Sequence, residues 1–186
     1  QLLTLGQRVP WRTVDGGSRE YVRRMVQAIG AGVRIGSGAT AVLRGADGVR
    51  IATDDGQVSQ RFDEVVIATH ADQALRLLPD AGSEESRLLG AFGYSANRAV
   101  LHSDPRLMPK RTAVWSSWNY LADRSRRDAL CVSYWMNRLQ GLDDATPLFL
   151  TLNPMQEPRP ETLIRTEHYE HPIFDQRATA AQRRLP

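Results

Sequence analysis

Residues 62–72, F-D-E-V-V-I-A-T-H-A-D, constrain the fold more than any other stretch of the chain. Val65, Val66 and Ile67 form an unbroken β-branched run without polar alternation, entered from Asp63-Glu64 and left through Ala68-Thr69-His70. Such a run suits a strand buried on both faces, as in a parallel sheet. Ala68 and Thr69 then fall at the carboxyl end of that strand, where open α/β sheets leave a crevice for ligands. The pattern predicts a strand over 64–68 whose small final residues let a ligand lie against the backbone. A plain core strand ending in a turn is the other reading this stretch allows.

The flanking sequence predicts a helix, a strand, a three-stranded excursion and then this strand. An extended piece over 11–14 leads into the turn signal Asp15-Gly16-Gly17. From Ser18 the apolar residues Tyr21, Val22, Met25, Val26 and Ile29 recur at helical spacing, with Arg19, Arg23, Arg24 and Gln27 opposite. Gly30 and Gly32 supply the left-handed backbone that ends such a helix. A short strand over 33–35 comes next, as a parallel neighbour of 64–68. A meander over 40–44, 49–53 and 58–62 lies between, turning at Ala46-Asp47-Gly48 and Asp54-Asp55-Gly56. Ala71, Ala74, Leu75 and Leu78 mark a short helix ended by Pro79, and a second runs from Ser83 to Phe92.

From Ser95 the texture changes. Segments 98–102, 113–120, 130–137, 148–152 and 163–169 are strand-like and follow one another without helices, which implies a second, mainly antiparallel sheet. A helix begins over 179–184.

Composition narrows the partners. The net charge is +3, Lys110 is the sole lysine, and arginines alternate with acids except at Arg23-Arg24, Arg126-Arg127 and Arg183-Arg184. Those doublets read as solvated surface, so nucleic acid is not the expected partner. Cys131 is the only cysteine, which excludes an intrachain disulfide and fits a reducing, cytoplasmic setting. No apolar run approaches the ~20 residues of a membrane span. The ends Gln1-Leu2-Leu3 and Arg184-Leu185-Pro186 suggest the central segment of a longer parent.

Gly36-Ser37-Gly38-Ala39-Thr40-Ala41 matches the G-x-G-x-x-A form of a dinucleotide fingerprint. That fingerprint needs a helix to begin there and hold the pyrophosphate at its N-terminus. Val42-Leu43-Arg44-Gly45 is strand-like instead, so a glycine-rich turn is expected.

Taken together, G-G-S-R-E-Y-V at 16–22, A-T-A-V-L-R at 39–44, D-E-V-V-I-A-T-H at 63–70 and W-S-S-W-N-Y at 115–120 resemble the interior of flavin-containing amine oxidase-like oxidoreductases. Within that class the chain is most similar to a bacterial subgroup of predicted NAD/FAD-binding proteins. The resemblance implies α/β plus α+β architecture: part of a glutathione-reductase-type FAD-binding domain, then a mainly antiparallel-sheet substrate domain. It places the former in 1–72, a helical connection in 73–92, the substrate domain in 93–175 and the start of a further segment in 176–186. It also implies hydride transfer from a small-molecule substrate, apolar or an amine, to FAD in the full-length parent. Val42 would meet the adenine end through its backbone, and Ala68 and Thr69 the adenosine and phosphate region. The family's N-terminal G-x-G-x-x-G turn and C-terminal flavin-contacting segment do not occur in this sequence, so this chain by itself is not expected to retain FAD. The rival class is a non-catalytic binding or interaction module.

Aromatic residues concentrate at Trp115, Trp118, Tyr120, Tyr134 and Trp135, with Asn137 nearby, as candidate lining of a substrate pocket. Strand alternation implies that some of them face the core instead. His168-x-x-His171 does not put both rings on one face of a strand, and Pro172 marks a turn, so no metal site is expected. His70 reads as a turn residue next to the crevice. His102 with Asp104 reads as an ordinary strand end, and Ser116-Ser117 lacks the flanking glycines of a nucleophile elbow.

Overall fold

A computed structural model describes residues 12–123 and 126–185. Trp11, where the expected extended piece begins, and the side chains of Arg126-Arg127 lie outside the described residues. The chain divides into two compact units, one joining the residues up to Gly30 with Asn97–Tyr169, the other joining Ala31–Ala96 with Glu170–Pro186.

In the first unit, helix α1 (Arg19–Ile29) follows a turn in which Gly17 N–H donates to Val14 O at 2.9 Å and Gly16 and Gly17 take φ of 79° and 82°. Gly30 ends α1 at φ 66°, as a residue without Cβ does readily. The apolar stripe forms as the spacing requires, yet none of its residues is buried, and Met25 and Ile29 are more than half exposed.

Strands β1 (Ala39–Gly45) and β2 (Gly48–Thr53) make the expected antiparallel hairpin in the second unit. The expected third strand of the meander reaches β2 only through bridges at Val49–Phe62 and Ala52–Val58. Ser59 interrupts the ladder, because Ile51 N–H donates to the Ser59 hydroxyl at 2.9 Å rather than to a carbonyl. Gly48 permits the close approach: it sits at φ 137°, and a Cβ there would lie 2.4 Å from Phe62 O.

The expected strands at 33–35 and 64–68 do not form. Both segments lie outside every described ladder, Ile35 is 88% exposed and Val66 is 90% exposed. An isolated extended segment has no partner for its backbone groups but water, so an apolar β-branched run does not become a strand without a neighbour. The expected parallel sheet is therefore replaced, among the described residues, by antiparallel pairing. Helices α2 (Ala71–Arg76) and α3 (Ser83–Leu89) follow as the spacing suggested. Glu85 closes the N-terminus of α3 by accepting from Gly82 N–H at 2.8 Å.

The second sheet has the order β4-β5-β6-β3-β7. Its strands are β3 (Gly93–His102), β4 (Trp118–Asp123), β5 (Arg126–Trp135), β6 (Phe149–Leu152) and β7 (Leu163–Ile173), with antiparallel pairing of β4 to β5, β5 to β6 and β6 to β3. Residues 113–117, expected as strand, instead hold part of a short 3-10 turn and a bend. The strand expected over 130–137 gives way at Met136 to helix α4 (Met136–Gln140), which ends at Gly141 in the left-handed region. Helix α5 (Gln176–Gln182) begins three residues earlier than expected, capped by Asp175, whose carboxylate accepts from Ala178 N–H at 2.7 Å. A small core in the second unit joins Leu88 and Ala91 to Ala181, with Phe92 and Leu185 packed against it.

Candidate functional site

Register sorts the aromatic residues. Trp118 opposes Tyr134, Tyr134 opposes Leu150, and Leu150 opposes Leu101. One step along, Tyr120 opposes Val132, Val132 opposes Leu152, and Leu152 opposes Ala99. Directly opposed residues share a face, so these eight side chains form two apolar rows on one side of β4-β5-β6-β3. Trp118 packs edge-on against Tyr134, with centroids 6.2 Å apart at 76°. Trp118 is 42% exposed and Tyr120 68%, while Tyr134, Leu150 and Leu152 are half-buried.

Trp115 and Trp135 belong elsewhere. Trp135 opposes Phe149, and Phe149 opposes His102, on the reverse face. Trp115 stands edge-on to Trp135 (5.4 Å) and to fully buried Phe149 (5.5 Å), and its indole N–H donates to Pro109 O at 2.8 Å. Asn137 is 2% exposed, and its amide is fully engaged with backbone: it donates to Asp143 O (2.7 Å) and Thr146 O (2.8 Å) and accepts from Leu148 N–H (2.7 Å). The structure thus brings Trp118, Tyr120 and Tyr134 onto one surface and leaves Trp115, Trp135 and Asn137 in packing and loop-holding positions.

The reverse face carries polar residues that strand patterning alone did not single out. His102, Asp104 and Ser133 are fully buried, Thr151 is 1% exposed and Asn119 5%. Asn119 donates to Ser116 O (2.7 Å) and Ser133 O (3.2 Å). The Asp104 carboxylate accepts from the Arg106 guanidinium (2.6–3.1 Å), which holds its pKa well below the usual carboxylate range against the opposing effect of burial. Burial pushes the His102 imidazole toward its neutral form and the Cys131 thiol upward. The alternation that joins Val100 to His102, Phe149 to Thr151 and Cys131 to Ser133 is visible in the sequence, but only the register shows that they meet.

In the second unit Val42 is 2% exposed, and its N–H donates to Leu77 O at 2.7 Å. Arg44 fastens the same strand to the helices: its guanidinium donates to Asp80 (2.9–3.1 Å) and Glu85 (2.6 and 3.1 Å). Those bonds hold Glu85 at a pKa of about 2 and raise that of Arg44. Ala68 and Thr69 are exposed. His70 stacks on Tyr94 at 4.8 Å, and the Tyr94 hydroxyl accepts from Ala71 N–H at 2.7 Å.

Val42 N–H is taken by Leu77. The glycine turn at 36–38 opens strand β1, as expected, and not a helix. Glu20 stands in the first turn of α1, where its negative charge opposes that of a pyrophosphate. A cavity of about 500 Å³ adjoins the Gly16 turn. Another of about 210 Å³ is ringed by Arg87, Arg177 and Arg184, two of which pair with Glu84. Neither is lined by an expected site residue. No described helix is long and apolar enough to cross a membrane, and no group of three metal-ligating side chains occurs among the described residues.

The family model for flavin containing amine oxidoreductase matches residues 2–146. Among solved structures, a CLA-producing fatty acid isomerase from P. acnes aligns with a TM-score of 0.57 and 13% identity. The alignment covers 82% of this chain and 39% of that one, so the chain spans well under half of the solved protein. The likeness extends to the fold, a mixed α/β arrangement with antiparallel sheets. Comparison with curated protein sequences gave no match.

Proposed function

Because the chain belongs to the flavin containing amine oxidoreductase family, we propose that it is the central part of an FAD-dependent oxidoreductase of amine oxidase type, with the aromatic sheet face as one wall of the substrate pocket. The observation that carries this reading is the pair of cross-strand rows, Trp118–Tyr134–Leu150–Leu101 and Tyr120–Val132–Leu152–Ala99. Small-molecule sites are lined mainly by apolar and aromatic side chains with a few polar groups. The substrate is then an apolar compound or an amine with an apolar body, its cation seated over the Trp118 or Tyr134 ring. A bound flavin supplies the hydride acceptor for oxidation of a C–N or C–C single bond. The residues of this chain orient the substrate and exclude water from it.

In this reading residues 1–72 belong to a glutathione-reductase-type FAD-binding domain, 73–92 are its helical connection, 93–175 the substrate domain and 176–186 the start of a further segment. Val42, Ala68 and Thr69 contact the adenosine and phosphate end of the cofactor, Val42 without the use of its N–H. The turn that holds the pyrophosphate belongs to the rest of the parent.

The test uses the full-length parent. Purified protein shows flavin absorption, and the bands bleach anaerobically when an amine or a long apolar substrate is added. The fatty acid isomerase that shares the fold adds fatty acids to the compounds screened. Trp118→Ala and Tyr134→Ala raise KM about tenfold, on the order of 1.4 kcal/mol of lost binding, with flavin content unchanged. A flavin-free parent favours the non-catalytic module. A flavin-loaded parent whose KM ignores both substitutions removes the aromatic face from the site.

A further inference from the structure

The buried chain behind the aromatic face fixes the position of every proton in it. Asp104 N–H donates to His102 Nδ1 at 3.1 Å, so Nδ1 is an acceptor and the neutral ring carries its proton on Nε2. Nε2–H then donates to Thr151 Oγ1 at 2.8 Å. The Ser133 hydroxyl donates its one proton to Leu107 O at 2.8 Å. The 2.8 Å contact between Ser133 and Thr151 must therefore run from Thr151 O–H to Ser133 Oγ. Three strands, β3, β6 and β5, are joined in series by bonds with a single allowed direction.

A second proton on the ring has nowhere to go. At Nδ1 it would face the Asp104 N–H, donor against donor. The Asp104 carboxylate, whose charge favours an imidazolium, is already occupied as an acceptor: Oδ1 accepts from Arg106 N–H and Nε, and Oδ2 from Arg106 Nε and Nη2 and from Arg159 N–H. Phe149 covers the ring at 5.6 Å. Within residues 98–102, 118–122, 130–135 and 149–152, the other ionisable groups on this sheet face are the Cys131 thiol of β5, kept neutral by burial, and Arg98 of β3, paired with Glu157 at 2.5 Å. Neither offers an acceptor to an imidazolium.

We propose that His102, Thr151 and Ser133 form a proton-gated lock across β3, β6 and β5, which holds the register of the sheet while the imidazole is neutral and releases it when the ring takes a second proton. Above the ordinary histidine pKa of about 6.5 both folded and unfolded chains carry a neutral ring, and the lock contributes fully. As the pH falls through that value the unfolded chain takes the proton first, because burial disfavours the folded imidazolium by more than the Asp104 charge favours it. Stability then falls until the folded ring itself titrates.

The test compares urea midpoints of the wild-type protein and His102→Gln between pH 7.5 and 5, with the side-chain ¹⁵N shifts of His102 followed in the wild type. The glutamine amide keeps a donor and an acceptor and has no proton to gain. The wild-type folding constant is expected to fall about tenfold or more from pH 7.5 to 5. The variant shows a much shallower fall, set by its carboxylates alone. The wild-type spectra show the Nε2–H tautomer persisting to lower pH than in an exposed histidine. Equal pH slopes in the two proteins, or an imidazolium or Nδ1–H tautomer at pH 7, overturn the proposal. If the variant fails to fold, the wild-type spectra decide the matter alone.

Discussion

Asn137→Ala removes a side chain that ties a loop to the sheet, and the structure sets the size of the effect. The amide makes contacts of 2.7, 2.8 and 2.7 Å to Asp143 O, Thr146 O and Leu148 N–H, and it is 2% exposed. At ~1 kcal/mol net for each hydrogen bond, the three sum to roughly 3 kcal/mol. Asp143 and Thr146 are exposed, so water can rehydrate their carbonyls, whereas the half-buried Leu148 N–H is harder to satisfy. The expected loss is therefore about 2–4 kcal/mol, read as a shift of the urea midpoint at unchanged m value. Asn137→Asp separates the causes. Its carboxylate still accepts from Leu148 N–H but faces two carbonyls, so at neutral pH it costs at least as much as alanine. It regains stability as the pH falls and protonation restores a donor. A cost below ~0.5 kcal/mol for Asn137→Ala would falsify the loop-holding role and return Asn137 to the pocket candidates.

Three further substitutions probe the packing. Val66→Asp in this chain changes stability by no more than ~0.5 kcal/mol, because Val66 is 90% exposed; a loss of several kcal/mol in a denaturation curve would mean that the segment is buried as the sequence suggested. Gly48→Ala lowers stability by about 2 kcal/mol, since φ is 137° and the new Cβ would lie 2.4 Å from Phe62 O; a neutral result shows that the hairpin shifts freely. Phe149→Ala costs on the order of 3–5 kcal/mol from a fully buried site and broadens the near-UV signal of Trp115, whose ring it supports. An unchanged thermal midpoint there means that the cavity collapses without loss.

Local periodicity was enough for α1, for the β1–β2 hairpin and for an antiparallel second sheet, because each rests on spacing within a few residues. The Val65-Val66-Ile67 run shows the limit of that method. Three β-branched residues in a row state that a segment is suited to burial on both faces, but not that a neighbouring strand stands beside it. Among the described residues none does, and the run alternates half-buried, exposed, half-buried. The 113–117 segment failed differently: Trp115 carries a strand former's side chain, but its indole N–H and its backbone close a turn onto Pro109 and Thr112. Residue preference could not outweigh hydrogen bonds made across a loop.

The candidate site was legible as a set of residues and not as a surface. The period of two says that Trp118 and Tyr120 share a side and that Tyr134 and Trp135 do not, yet it cannot say which of the last pair joins the first. That choice depends on the Trp118–Tyr134 register, and a slip of one residue would exchange the aromatic face for the polar one. The His102–Thr151–Ser133 chain bears on the same choice. A slip would carry these three groups to the exposed side and place Trp118, Tyr134 and Leu150 against the 103–117 segment, leaving Asp104 N–H and Leu107 O without their partners. Buried donors and acceptors tolerate few pairings, whereas apolar rows tolerate many. The polar face therefore supplies the specificity that the aromatic face lacks, and the arrangement of Trp118, Tyr120 and Tyr134 follows from bonds made on the opposite side of the sheet.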